Sequence, residues 1–407
     1  MAEETPLWLR PKFWENILRK AKNNNSIRVI DIFSKLATAK GDNYSSDMFR
    51  VLVEFAYKQD DREVMSKASF IVKVAPSADT LRRKLIEQSM VFETEMSVME
   101  NLLRKMNELV GPAHILGAQV FYIKKEYPGF LVLEDLAPLG FRMAEREDGL
   151  DLPHCLCAMR GLARFHASSL AICEKEPSQK TLYSKGIFYI ERSSDLTSFF
   201  TLGTKSLAGQ VKKWPNFEKY GEKIDKISDK IFYETSKAIK CRDDEFNVIN
   251  HGDFWVNNMM FRYNDEGKPI NHIFVDFQMC VYASPAVDLQ YFLNTSTNNE
   301  VYENYKDKLI EEYYNTLCNT MRQLDCKTLP PSMEELRKSI KEREVVAMIS
   351  SFTVLPYVMV NKNEVKDLDE IFTTDGNYDN FAYKNDRYHK VISKRILYYD
   401  QLGLLDV

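Results

Sequence analysis

The sequence has no surplus of either charge: 55 lysines and arginines stand against 59 aspartates and glutamates, a net of -4 over 407 residues. Holding a phosphate backbone takes a basic field, so nucleic acid is not expected as a partner. Cysteine pairing is missing as well. The seven cysteines, Cys155, Cys157, Cys173, Cys241, Cys280, Cys318 and Cys326, are odd in number and scattered, with no CxxC pair, which points to reduced thiols rather than a disulfide or zinc framework. No apolar run reaches the roughly 20 residues that span a bilayer. The longest, over 348–360, is broken by Ser350, Ser351 and Pro356, so no membrane span is expected. The opening MAEETPLWLRPKFWE lacks the cationic start and apolar core of a secretory signal, and the expected location is cytoplasmic. There is no internal repeat and no low-complexity tract.

What is present reads as a folded, soluble chain: 44% hydrophobic and 28% charged residues are ordinary globular values. At about 150 residues per domain the length suits two or three units, or one large two-lobed enzyme. A helical opening over 13–22 precedes strand-like runs over 27–37, 48–57 and 68–74, separated by polar turns at 39–46 and 59–63. A long helix over 79–110 follows, then strands over 119–124 and 130–133 around the Tyr127-Pro128-Gly129 turn. From residue 151 the periodicity is mostly helical, as in Leu156, Met159, Leu162, Phe165, Ser169 and Leu170, with short strands at 258–262 and 273–277. The predicted class is α+β, a five-stranded sheet with one helix followed by a larger, mainly helical part. The linker is placed at 134–140, which carries Pro138 and Gly140, giving units at 1–136 and 137–407.

The densest chemistry lies in NHGDFWVNNMMF (250–261) and IFVDFQ (273–278). Phosphoryl transfer from ATP needs a carboxylate to orient and deprotonate the attacking hydroxyl, and oxygen ligands for the Mg²⁺ that bridges the phosphates. Kinases place the second of these five residues after the first, and a further Asp at the end of the next strand. Asp253, Asn258 and Asp276 reproduce that spacing. HGD alone also suits a turn with a buried His and a solvated Asp, but both motifs in order make the stronger pattern.

Lys73 sits inside the apolar strand FIVKVA, where an unpaired ammonium is costly and an anion is needed unless the side chain snorkels from an edge. On the following helix Phe92, Met96, Met99, Leu103 and Met106 share one stripe, and Glu95 falls inside it. A strand Lys paired to a helix Glu is how kinases hold the ATP α- and β-phosphates. The turn containing Gly41, Asn43, Ser45 and Ser46 lies between the first two strands, where a phosphate-covering loop belongs, though one glycine also suits a plain hairpin. Glu134, Asp135 and Leu136 occupy the inter-lobe hinge, whose backbone groups would meet the adenine edge. His166 and His251 read as packed, bracing histidines, and Asp288 as a structural acid that caps a helix or ties down the catalytic loop.

HGDFWVNN with VDFQ, and GDNYSS upstream, resemble the ecdysteroid kinase-like family, from Gly41 through the C-terminal ILYYDQLGLLD. The resemblance implies a two-lobed protein-kinase-like fold, shared with choline and aminoglycoside kinases, with an antiparallel N-terminal sheet. It implies ATP and Mg²⁺ as cofactors, Asp253 as the base, and Asn258 and Asp276 as metal ligands. It also implies a phosphate loop working through backbone N–H groups and the Ser45 and Ser46 hydroxyls. Its name points to steroid alcohols or other lipophilic hydroxylated compounds as the small-molecule substrate. Gly252 stands where kinases switched by activation-loop phosphorylation have Arg, no APE follows, and Phe277-Gln278 leads to Pro285 within a dozen residues. That leaves no peptide-docking loop and favours a small acceptor. Phe199, Phe200, Trp214 and Phe217, with Phe352, Leu355, Tyr357 and Met359, are either core or the wall of an acceptor cleft kinked open at Pro356. A catalytically silent ligand-binding protein on the same fold is the second reading, disfavoured because Lys73, Glu95, Asp253, Asn258 and Asp276 are all present. Hydrolysis by paired carboxylates leaves Lys73 unexplained. The sequence carries no signal of oligomeric state.

Overall fold

The computed structural model describes residues 5–37, 46–60, 62–76, 90–191, 194–361 and 380–406. Helix α1 (Pro11–Lys22) starts with a proline in its first turn and ends at Asn23 in the left-handed conformation, and its buried face is Phe13, Trp14, Ile17 and Leu18. Strands β1 (Arg28–Leu36), β2 (Asp47–Gln59) and β3 (Arg62–Val74) form an antiparallel meander. Helices α2 (Val91–Ser97) and α3 (Leu103–Val110) follow, and then β4 (Val120–Lys124) and β5 (Phe130–Glu134) complete a five-stranded sheet in the order β1-β2-β3-β5-β4. The expected sequence of three strands, a helix and two strands is the one observed.

Period-two alternation decides what each face of the sheet does. Along β3, Phe70 and Val72 point to one face and join Trp14 and Ile17 of α1 in a closed apolar cluster. Ile71 and Lys73 point the other way, into a cleft. The predicted helix over 79–110 lies partly outside the described residues. Its described part is interrupted by a π-helical turn, Val98–Leu102, whose extra residue per turn widens the buried stripe to include Val98 and Leu102.

Strand β6 (Phe141–Arg142) leads to α4 (Leu152–Lys175), capped by Asp151 and buried along most of its length, and to α5 (Ser194–Val211). Two short sheets carry the motif segments: β7 (Val248–Asn250) pairs with β10 (Val281–Ala283), and β8 (Met259–Tyr263) pairs with both β6 and β9 (Pro269–Phe274). Helices α6 (Ala286–Thr295), α7 (Lys306–Gln323), α8 (Glu344–Thr353) and α9 (Leu355–Val358) pack around α4 and one another. Pro356 falls in the first turn of α9, so the expected kink is a break between two helices. Among the described residues no helix is long and apolar enough to cross a membrane.

The strand expected over 273–277 ends early, at Phe274. The Val275 N–H leaves the ladder and donates to the Asn258 carbonyl at 3.1 Å, and Asp276 takes a left-handed φ of 67°. An apolar run cannot reveal that turn, because the residues stay buried while the backbone changes direction.

Candidate active site

A cleft of about 310 Å³ opens between the exposed face of the sheet and the β8–β9 layer. Lys73, Glu95, Glu134, Asp135, Leu136, Asn258 and Asp276 all line it. Lys73 is only 3% exposed, and its Nζ reaches Glu95 Oε1 at 2.8 Å, Glu95 Oε2 at 2.7 Å and Asp276 Oδ1 at 2.7 Å. Burial works against its charge, but Asp276 and Glu95 outweigh burial and raise its pKa above the ordinary lysine value. It is therefore an ammonium at any physiological pH. One cation faces two carboxylates, and burial pushes Glu95 up to about 7 despite the pull of Lys73.

Asp253 lies behind Asn258. Its Oδ2 accepts from Asn258 Nδ2 at 2.8 Å and its Oδ1 from the Tyr291 hydroxyl at 2.8 Å. Burial raises its pKa to about 6, with both hydrogen bonds pulling the other way; the side chain is half-buried, so water at its open edge moderates the rise. The Asn258 amide also donates to the Asp253 carbonyl at 2.9 Å. Its donor end is thereby occupied within the loop, which leaves its oxygen for a cation. Among the described residues Asp276 Oδ2 meets only the Gln278 amide, at 3.4 Å. Asn258 and Asp276 thus offer two hard oxygens beside a lysine, a donor set that suits Mg²⁺, which is held by one or two protein oxygens together with phosphates and water.

The loop itself is held from below. Asp288, fully buried in the first turn of α6, accepts from the His251 N–H at 2.7 Å, the Gly252 N–H at 2.9 Å and His166 Nε2 at 3.1 Å. It ties down the loop rather than capping a helix. His251 Nε2 donates to the Val275 carbonyl at 3.1 Å, and burial lowers its pKa, so it is a neutral brace between the two motif segments. Gly252 has φ +80°, and a Cβ there would collide with the Met279 carbonyl oxygen.

Gly41, Asn43 and Ser45 lie outside the described residues, whereas Ser46 is buried beside the start of β2. The Asp135 carboxylate is already engaged, accepting from Ser69 at 2.6 Å and from Arg50 at 2.8 Å. Tyr291 was not anticipated: in ASPAVDLQYFL a tyrosine looks like core, and only its hydroxyl contact marks it. None of the eight aromatic and aliphatic residues singled out for an acceptor wall lines the cleft. Phe200, Phe352 and Leu355 are core, while Phe199 stacks on Tyr357 at 6.0 Å.

The ecdysteroid kinase-like family model matches residues 40–326. The chain belongs to the ecdysteroid kinase-like family. The match begins beside the GDNYSS turn and ends at Cys326, so the C-terminal part of the resemblance, ILYYDQLGLLD, lies beyond it. Membership carries the kinase-like α+β fold: the antiparallel five-stranded sheet and the mainly helical remainder are the two parts of this ecdysteroid kinase-like chain. No curated protein matches the sequence.

Proposed function

We propose that the chain is an ATP- and Mg²⁺-dependent kinase that phosphorylates a hydroxyl of a lipophilic small molecule, an ecdysteroid, another steroid alcohol or a hydroxylated xenobiotic. The observation that carries this reading is the convergence of Lys73, Glu95, Asn258 and Asp276 on one cleft, with Asp253 hydrogen-bonded to Asn258. Mg-ATP would supply the phosphoryl group and neutralise charge on its oxygens. Lys73, oriented by Glu95, pairs with the α- and β-phosphates in this reading. Asn258, through its amide oxygen, and Asp276 hold the metal, and Glu134, Asp135 and Leu136 face the adenine. Gly41, Asn43, Ser45 and Ser46 cover the phosphates. Asp253 orients the acceptor hydroxyl and takes its proton. A carboxylate titrating at about 6 suits that task, because a general base works best with a pKa near the operating pH.

In the same reading, residues 1–136 bind nucleotide, residues 137–407 supply catalysis and acceptor binding, and the enzyme is cytoplasmic. An acceptor with a large apolar skeleton is held by apolar burial, so steroid alcohols should exceed aminoglycosides in kcat/KM. The deciding experiment incubates the protein with ATP, Mg²⁺ and a mixture of hydroxylated metabolites and searches by mass spectrometry for new phosphoesters. Formation of a steroid phosphoester that disappears with Asp253→Asn supports the proposal. Turnover of aminoglycosides alone, or no phosphoester from any hydroxylated compound, overturns it.

A further inference from the structure

Among the described residues Arg146 is a charge without a counterion. It lies between β6 and α4 and lines the cleft beside Met143, Ala144 and Asn257, yet only 4% of it is exposed. Its Nη1 donates to the Tyr357 carbonyl at 2.9 Å, and its Nε has no partner. Among the described residues no carboxylate comes within ion-pair distance, and that includes its sequence neighbours Glu145 and Glu147. A guanidinium stays protonated throughout the range in which proteins fold, so it cannot escape burial by titrating as a lysine or a carboxylate can.

Lys73 meets two carboxylates and Arg50, in the same cleft, meets Asp135 at 2.8 Å. Arg343, 1% exposed, pairs with Glu245. Arg395, 3% exposed, also has no carboxylate among the described residues, but it lies away from the cleft, donating to the Asn294 carbonyl and the Ser351 hydroxyl and stacking over Tyr302. A buried cation left alone is strongly destabilising, and Arg146, unlike Arg395, lines the cleft, where a charge arriving from outside can answer it. The geometry agrees. Tyr357 occupies Nη1, and a guanidinium takes a carboxylate, sulfate or phosphate through two parallel hydrogen bonds.

We propose that Arg146, in the loop between β6 and α4, is an anion subsite of the cleft that binds an anionic oxygen group of the ligand. Two sources share that chemistry: a phosphate of the nucleotide, or an acid group on the acceptor. The inference rests on the cleft being the ligand site and not on which reaction occurs there, so it is tested by binding rather than turnover.

Calorimetric titrations would compare the wild-type chain with Arg146→Met and Arg146→Lys. The probes are Mg-ATP against adenosine, and a steroid sulfate against the same steroid uncharged. The expected result is a loss of about 10- to 100-fold for one anionic probe with Arg146→Met, and less than about twofold for its neutral counterpart. A selective loss on Mg-ATP assigns the anion to the nucleotide, and a selective loss on the steroid sulfate assigns it to the acceptor. Arg146→Lys keeps the charge and loses the fork, so it should show the same selectivity at smaller size, and it serves alone should the methionine variant fail to fold. Unchanged affinity for every probe, or equal losses for charged and neutral probes, overturns the subsite and leaves Arg146 as a strut to Tyr357. A chain that binds with this selectivity but never turns over would overturn the kinase reading and leave the subsite standing.

Discussion

The Asp253 loop and the Asp276 turn meet at Asn258, and they are held in opposite ways. Asp253 is fixed by uncharged donors, the Tyr291 hydroxyl and the Asn258 amide, each at 2.8 Å. Asp276 is fixed by the Lys73 ammonium at 2.7 Å. An uncharged donor sets a carboxylate's direction and leaves its charge uncancelled, so burial can lift Asp253 to about 6 and make it a proton acceptor near neutrality. A cation sets direction and balances charge together, which suits the metal-holding role proposed for Asp276. Two acids of one residue type differ here through their neighbours alone.

The comparison can be broken most sharply at the acids themselves. Asp253→Asn should lower turnover by about 10²- to 10⁴-fold while Mg-ATP affinity stays near wild type, whereas Asp276→Asn should lose metal-dependent nucleotide binding itself. Turnover and nucleotide titration measured on both variants separate the roles; matching profiles would erase the distinction.

A second variant removes the cation and keeps both acids. Lys73→Met leaves Glu95 and Asp276 facing each other, and loss of one partner of a buried ion pair costs about 3–5 kcal/mol. Denaturant unfolding should show that loss shrinking as pH falls. Glu95 is already pushed up to about 7 in the fold, above its unfolded value, and without Lys73 it rises further, so protonation on acidification relieves the repulsion. A loss that is constant from pH 5 to 8 would mean that the pair is not electrostatically coupled.

The smallest effect tests the neutral donor. The acid limb of kcat/KM should fall near pH 6, because the base must be ionised and is lost as pH drops through its folded pKa. Tyr291→Phe removes a hydrogen bond that favours the carboxylate, so the limb should move upward by less than about one pH unit, with the rate at pH 8 little changed. A limb that stays in place would show that Tyr291 packs without tuning.

Much of this site was legible because its parts violate local expectation. A lysine inside FIVKVA and a glutamate inside an apolar stripe each demand a partner, and each supplies the other's. The spacing from Asp253 to Asn258 is local, so the sequence carries it directly. Tyr291 and Arg146 were hidden for the opposite reason: both match their surroundings. A tyrosine in an apolar helix resembles core, and an arginine in AEREDG resembles a solvated loop, so only the folded contacts expose them. The premature end of β9 was equally silent, since the bond that stops it joins Val275 to Asn258 across the chain.

Gly252 constrains what this chain could become. The position has a left-handed backbone and faces the Met279 carbonyl so closely that any side chain collides with it. An arginine beside Asp253, the residue that would let a phosphorylated loop switch the site on, is therefore not one mutation away. It would require the Met279 turn, and with it the loop that Asp288 clamps, to move. Whatever controls such an enzyme would more readily act through its abundance or its substrate supply than through modification of this loop.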